Sequence, residues 1–267
     1  LDLKRWYDQG ELTASQLIAT GGSLNIYRDK RTADDSTKQS KLPQELIKNI
    51  ELPFYFDTVK LHDYSIRYEE QTTERPLPGL VYFDAMNIRV FPVTNLQYLI
   101  NSKPKITLKA NAMLMGEALM ETTMIYDLLS TNHSFTVSGH IQPFDLTILN
   151  PVTRNTAGIA VRSGQLNRFD FEFTADQTQA DGKLRFAYDD LKISILEQKD
   201  GDTKEAKFLS FLTNSLVLKS KHPRTHFLLP DDISYKRDPQ KSIVNYWWKS
   251  IFSGAKNTFG IKENEDE

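Results

Sequence analysis

From Lys105 to Leu114 the chain alternates without a break. Ile106, Leu108, Ala110, Ala112 and Leu114 hold one set of positions, and Thr107, Lys109, Asn111 and Met113 hold the other. Successive side chains on a β-strand point to opposite faces, so this pattern puts one face in an apolar environment and the other in water. It recurs along the chain. Phe54 and Phe56, then Val59 and Leu61, are followed by Tyr64, Ile66 and Tyr68 beyond a turn signal at Asp63. Leu80–Phe83 and Ile88–Phe91 read as two short strands around Asp84–Asn87. Phe135, Val137 and Ile141 flank Gly139, and Phe144, Leu146 and Ile148 lead to an Asn150-Pro151 turn. Ile159 and Val161 precede Gly164, and Phe169, Phe171 and Phe173 alternate with Asp170, Glu172 and Thr174. Asp181-Gly182 turns the chain into Leu184, Phe186 and Tyr188, and Leu191, Ile193 and Ile195 resume past Asp189-Asp190. After Asp200-Gly201 a last apolar stretch runs from Phe208 to Leu218. Short strands separated by turn residues predict an antiparallel all-β region over 52–218. A parallel sheet would need helical crossovers and continuous apolar runs, and the sequence has neither.

The flanks have other periods. Residues 1–41 read as weak strand (Leu24-Asn25-Ile26-Tyr27) followed by a charged loop, Arg28 to Lys41, with nothing apolar larger than Ala33 to bury. Pro43 opens a helical turn carrying Leu46, Ile47 and Ile50, and Asn95–Ile100 reads as another. Residues 42–237 form the β region. Residues 238–267 form a C-terminal amphipathic helix and an acidic tail: Asp238-Pro239 as N-cap and first helical residue, Ile243, Trp247, Ile251 and Ala255 four apart, Val244, Trp248, Phe252 and Phe259 widening the stripe, and Gly260 as the stop.

Composition narrows function mainly by exclusion. The 267 residues contain no Cys, which removes disulfides, thiolate metal sites and cysteine nucleophiles. A net charge of −2 argues against nucleic acid as a partner. No stretch reaches about 18 uninterrupted apolar residues, and the chain opens at Leu1 without a signal peptide. It therefore reads as part of a longer protein whose targeting or anchoring segment lies upstream. Hydrophobic residues make up 39%, below the usual ~45–50%, so the core is thin for the length.

No catalytic or metal constellation emerges, and no cofactor is expected. His222 and His226 are four apart but have Pro223 between them and no intervening carboxylate. Asp176 and Asp181-Gly182 break the calcium-loop pattern at Thr178 and Ala180. Asp189-Asp190 and Glu69-Glu70 are adjacent on strands, point to opposite faces and cannot converge on one sugar. Nucleophile-elbow, phosphate-loop and dinucleotide fingerprints are absent from the sequence. What is left is apolar faces, which read either as a closed core or as a wall for acyl chains.

Three stretches resemble the AsmA-like proteins. Phe54 to Glu70, with its Ile66-Arg67-Tyr68-Glu69-Glu70 ending, resembles their repeated strand followed by an I-x-Y-x-E element. Gly182-Lys183-Leu184-Arg185-Phe186-Ala187-Tyr188-Asp189-Asp190-Leu191 to Ile195 is similar to their C-terminal pattern. So is the ending, with Asn214–Leu218, Arg237-Asp238-Pro239 and Lys241–Ser250 before Gly254. The resemblance spans 42–260. It implies a curved sheet with an apolar groove, in the periplasm of a Gram-negative envelope and anchored to the inner membrane upstream. The implied role is non-enzymatic: carrying phospholipid in support of outer-membrane biogenesis.

On that reading the groove-lining residues are Ile106, Leu108, Ala110, Ala112, Leu114, Phe135, Val137, Ile141, Phe169, Phe171, Phe173, Leu184, Phe186, Tyr188, Ile193 and Ile195. Trp247, Trp248, Ile251 and Phe252 would touch a membrane or an envelope protein. The alternatives are an envelope scaffold with a closed β core and a carbohydrate-binding β protein.

Overall fold

The computed structural model describes residues 1–32, 39–196, 221–223 and 228–258. The centre of the Arg28–Lys41 loop, the Asp200-Gly201 turn, the stretch Phe208–Leu218, His226, Phe259, Gly260 and the acidic tail lie outside them. In chain order the elements are α1 (Leu3–Gln9), β1 (Leu12–Asp29), α2 (Pro43–Lys48), β2 (Phe54–Gln71), β3 (Gly79–Phe91), β4 (Val93–Thr94), α3 (Gln97–Ser102), β5 (Lys105–Leu114), β6 (Ala118–Asp127), β7 (Phe135–Ile141) and β8 (Phe144–Asp145). A 3-10 turn (Leu146–Leu149) and α4 (Asn150–Thr156) then lead to β9 (Ile159–Ala175), β10 (Gln179–Ile195), β11 (Asp231–Lys236) and α5 (Ile243–Thr258).

The alternation resolves into one open, 11-stranded sheet ordered β1-β2-β3-β5-β6-β7-β9-β10-β11, with β4 on β2 and β8 on β9. Neighbours pair antiparallel except at the edge, where β1 runs parallel to β2 from Leu12↔Phe54 to Asp29↔Gln71. The β1-to-β2 connection is long enough to carry α2 back across the sheet, as a parallel pair requires. Residues 1–41 therefore add an edge strand to the same sheet as 42–237.

Three of the expected turns are bends inside long strands. Asp63 (φ 56°) lies within the 18 residues of β2, Ala85 (φ 47°) within β3, and Asp190 (φ 51°) within β10 opposite Gly164 of β9. On β1, Gly21 (φ 69°) stands opposite Asp63. Each left-handed residue switches the parity of the strand, so that Val59 and Leu61 before Asp63 share a face with Tyr64, Ile66 and Tyr68 after it. Asp and Asn tolerate that conformation locally, which is why they resemble turns in the sequence. Asp181-Gly182 likewise sits inside β10; the β9–β10 turn is made instead by Asp176, whose carboxylate accepts from Thr178 N at 2.7 Å and Gln179 N at 3.0 Å.

No second sheet covers the apolar face among the described residues; short helices cover part of it. Leu42 and Gln44, at the start of α2, are fully buried, and the Gln44 amide donates to the carbonyls of His133 (2.9 Å) and Ser134 (3.2 Å). Ile100 of α3 is buried beside Ile106 and Leu128 in one apolar cluster. The expected Asn150-Pro151 turn is the start of α4, since proline fits a first helical turn where its missing N–H is not needed. The Asn150 amide there exchanges two hydrogen bonds with the backbone of Val161, 2.8 and 2.9 Å.

At the C-terminus the helix starts at Ile243, later than Asp238-Pro239 predicts, with Ser242 Oγ accepting from Asn245 N at 3.2 Å. Asp238 instead makes a turn, accepting from Gln240 N at 2.9 Å. Its buried stripe is Tyr246, Ser250, Ile251, Gly254, Ala255 and Thr258 rather than the most apolar residues. Small residues win because the helix sits close to the sheet: a Cβ on Gly254 would lie 2.9 Å from both Leu184 Cβ and Ile233 Cγ1.

Candidate functional site: two faces of one sheet

Pairing register arranges the apolar face into rows that cross the sheet. One row runs Leu17, Val59, Val90, Leu108, Met124, Val137, Phe173, Gly182 and Ile233. The next runs Ala19, Leu61, Ile88, Ala110, Thr122, Gly139, Phe171 and Leu184. Flanking rows hold Ile106, Tyr126, Phe135 and Ala175 on one side, and Ala112, Met120, Ile141, Phe169 and Phe186 on the other. The expected groove residues of β5, β7, β9 and β10 thus do share one face.

They differ sharply in access. Ile106, Leu114, Phe135, Val137, Phe171, Phe173, Leu184, Phe186 and Tyr188 are buried in the core cluster, and Ala112 is buried outside it. Tyr246 of α5 meets Phe135 edge-on at 6.2 Å, and Phe169 and Phe186 pack at 5.3 Å. Burial pushes the Tyr126 and Tyr246 phenols above their usual range, in the second case helped by the negative charge of Asp176. Leu108, Ala110, Ile141, Phe169, Ile193 and Ile195 are only half-buried. Along a single row, cover rises from Leu17 at 47% exposed, through half-buried Val59, Val90, Leu108 and Met124, to Val137 and Phe173 at 1%.

The open end of this face holds a pocket of about 310 Å³ lined solely by Leu12, Ile47, Ile50, Leu52, Phe54, Phe56, Val59 and Val93. It lies between the start of β1 and β2 and the end of α2, at the low end of the usual ligand-pocket range of ~300–1,000 Å³. None of these residues is among the expected groove residues. The available signal was the short helical run Leu46, Ile47, Ile50 placed just before Phe54 and Phe56, an apolar helix face with no strand of its own to cover.

Of the four expected contact residues on α5, Ile251 is buried in the core and Trp247 is half-buried against it, so neither is presented to a partner. Helix rotation toward its small residues is the cause. Trp248, 59% exposed, stacks on Phe252 at 6.0 Å. Lys249 and Lys256 approach the Phe252 ring at 6.0 and 5.5 Å, and Val244 extends this outer patch.

The larger cavity, about 850 Å³, lies on the opposite, polar face and draws its lining from β2, β3, β5, β6, β7, β9 and β10. A single sheet encloses such a volume only by curling toward that face. Among the described residues no group of three His, Asp or Glu side chains converges to hold a metal. His222 pairs with Tyr188 through backbone hydrogen bonds of 2.8 and 2.9 Å. No described helix is long and apolar enough to cross a membrane. No protein-family model matches the chain, and comparison with curated proteins and with solved structures finds no significant match.

Proposed function

We propose that the chain is a non-enzymatic, AsmA-like envelope segment that holds phospholipid acyl chains against the uncovered part of its apolar face. The carrying observation is the wholly apolar pocket of Phe54, Phe56 and Ile47, continuous with the half-buried Val59, Val90, Leu108 and Met124. Burying an acyl chain there gains about 0.8 kcal/mol per methylene, while a headgroup left beyond the pocket avoids the cost of desolvating a phosphate. The buried Phe171 and Phe173 then act as the support of the lane rather than its lining. The aromatic and lysine patch of Val244, Trp248 and Phe252 suits a bilayer interface, with the apolar rings inserted and the ammonium groups level with the headgroups. The setting we infer is the periplasm, with the inner membrane reached through a segment upstream.

Native mass spectrometry of the purified chain tests the reading. Co-purified phospholipid is expected, and it should be lost in Phe56→Asp and Val59→Asp while far-UV circular dichroism stays unchanged. A bare protein mass in repeated preparations, with no lipid taken up from phosphatidylethanolamine vesicles, overturns it.

A further inference from the structure

The polar face carries a charge arrangement that the lipid reading does not use. Lys60, Arg89 and Lys109 stand directly opposite one another on β2, β3 and β5, and all three line the 850 Å³ cavity. Like charges directly opposed across strands are destabilising. The neighbours in the same row, Thr123 and Ser138, are neutral. Of the carboxylates lining the cavity, Glu121 is diagonal to Lys109 and is engaged by His140 Nε2 at 3.2 Å, Asp170 is paired with Arg168, and Glu172 stands farther along the row, beyond Ser138. The adjacent row, by contrast, is matched side chain to side chain: His62 Nδ1 with Asn87 at 3.2 Å, and Asn87 donating to Asn111 at 3.3 Å. Arg89 is also held in place, its guanidinium carbon 4.7 Å above the ring of Phe91 on the same strand. Lys183 and Arg185 line the cavity from β10; the three adjacent cations on β2, β3 and β5, one of them pre-positioned, are what an oxyanion of two or more charges requires.

We propose that the Lys60–Arg89–Lys109 row binds a phosphate or pyrophosphate group, with the amides of Asn87 and Asn111 and the hydroxyls of Thr123 and Ser138 taking the polar remainder of the ligand. The group comes either from a soluble phosphorylated compound or from a lipid headgroup. The site shares no residue with the acyl pocket and stands without it.

Calorimetric titration of the full chain with inorganic pyrophosphate at low salt tests the soluble source, and flotation with phosphatidylcholine vesicles with and without phosphatidic acid tests the lipid source. Saturable pyrophosphate binding that weakens as salt rises is expected. Arg89→Gln and Lys109→Gln should each weaken it about tenfold or more, since each removes charge-assisted hydrogen bonds. Lys48→Gln, on the other side of the sheet, should leave it unchanged. Without ligand the two row variants should melt at or above the wild-type temperature, because a repulsive neighbour is gone; a merely structural role predicts the reverse. Binding to phosphatidic acid vesicles alone assigns the lipid source, and binding to pyrophosphate alone assigns the soluble one. Absence of both, or row variants that bind like wild type, overturns the proposal.

Discussion

The two ends of the sheet share strands, alternation and register, yet they solve burial differently. At the β9–β11 end α5 docks so closely that glycine is needed at position 254, and Phe173, Leu184 and Ile233 lose all but about 1% of their exposure. At the β1–β3 end α4 packs against β3 and α2 borders the start of β2, yet Leu17 and Leu24 remain 47% and 53% exposed. The difference teaches that an apolar strand face is not by itself a core. It becomes one only where a further element of the right shape comes down on it, and otherwise it stays available.

The largest test of this contrast is cavity creation at matched apolar positions. Phe173→Ala at the sealed end should cost about 3–5 kcal/mol, whereas Leu61→Ala at the open end should cost about 1 kcal/mol, because the removed atoms were never fully out of water. Urea denaturation measures both, and equal costs would break the comparison. Next comes Gly254→Val, which pushes a branched side chain into Leu184 and Ile233 and should cost about 1–3 kcal/mol while leaving the lipid content unaltered. Thermal melting together with native mass spectrometry reads both. Smaller still is the effect of relaxing the bends: Ala85→Gly should stabilise by about 1 kcal/mol, since a methyl group at φ 47° is strained and glycine is not. A fall in stability there would mean that the Ala85 methyl packs more than it strains. The smallest effect is on acid sensitivity at the sealed end. Burial raises the Asp176 pKa, but hydrogen bonds from Thr178, Gln179 and Asn132 outweigh that and hold it below the usual carboxylate range. Its contribution is therefore complete above the ordinary value of about 3.9 and is lost as pH falls through the depressed one. Asp176→Asn should lower the melting temperature slightly at neutrality and flatten its fall below about pH 4.

The strand content and the shared apolar face were legible because period-two alternation reports directly on which side of a strand is wet. Strand lengths were not legible, since Asp63, Asp84–Asn87 and Asp189-Asp190 carry the same residue types whether the chain reverses or merely bends. The pairing of β1 escaped as well: with Leu17 and Ile18 both about half exposed, that strand has no strongly buried face to announce itself. The orientation of α5 follows from contact distance, which hydrophobicity does not encode, so in the sequence Trp247 and Trp248 outweigh Ser250 and Gly254. The acyl pocket was split between α2 and β2, two elements read separately. The row of Lys60, Arg89 and Lys109 exists only once the register is known.

The left-handed residues shared by Gly21, Asp63 and Ala85 act as a key cut into the edge of the sheet. A slide of β1 by two residues would keep its alternation but would set Gly21 against Leu61 or Ser65, so that two bends no longer coincide and half of the pairing is lost. The same notch screens newcomers. A foreign strand laid along the outer edge of β1 matches only the stretch on one side of Gly21 unless it bends in the same row, so an 18-residue edge is cut into two short ones for any sequence that lacks the key.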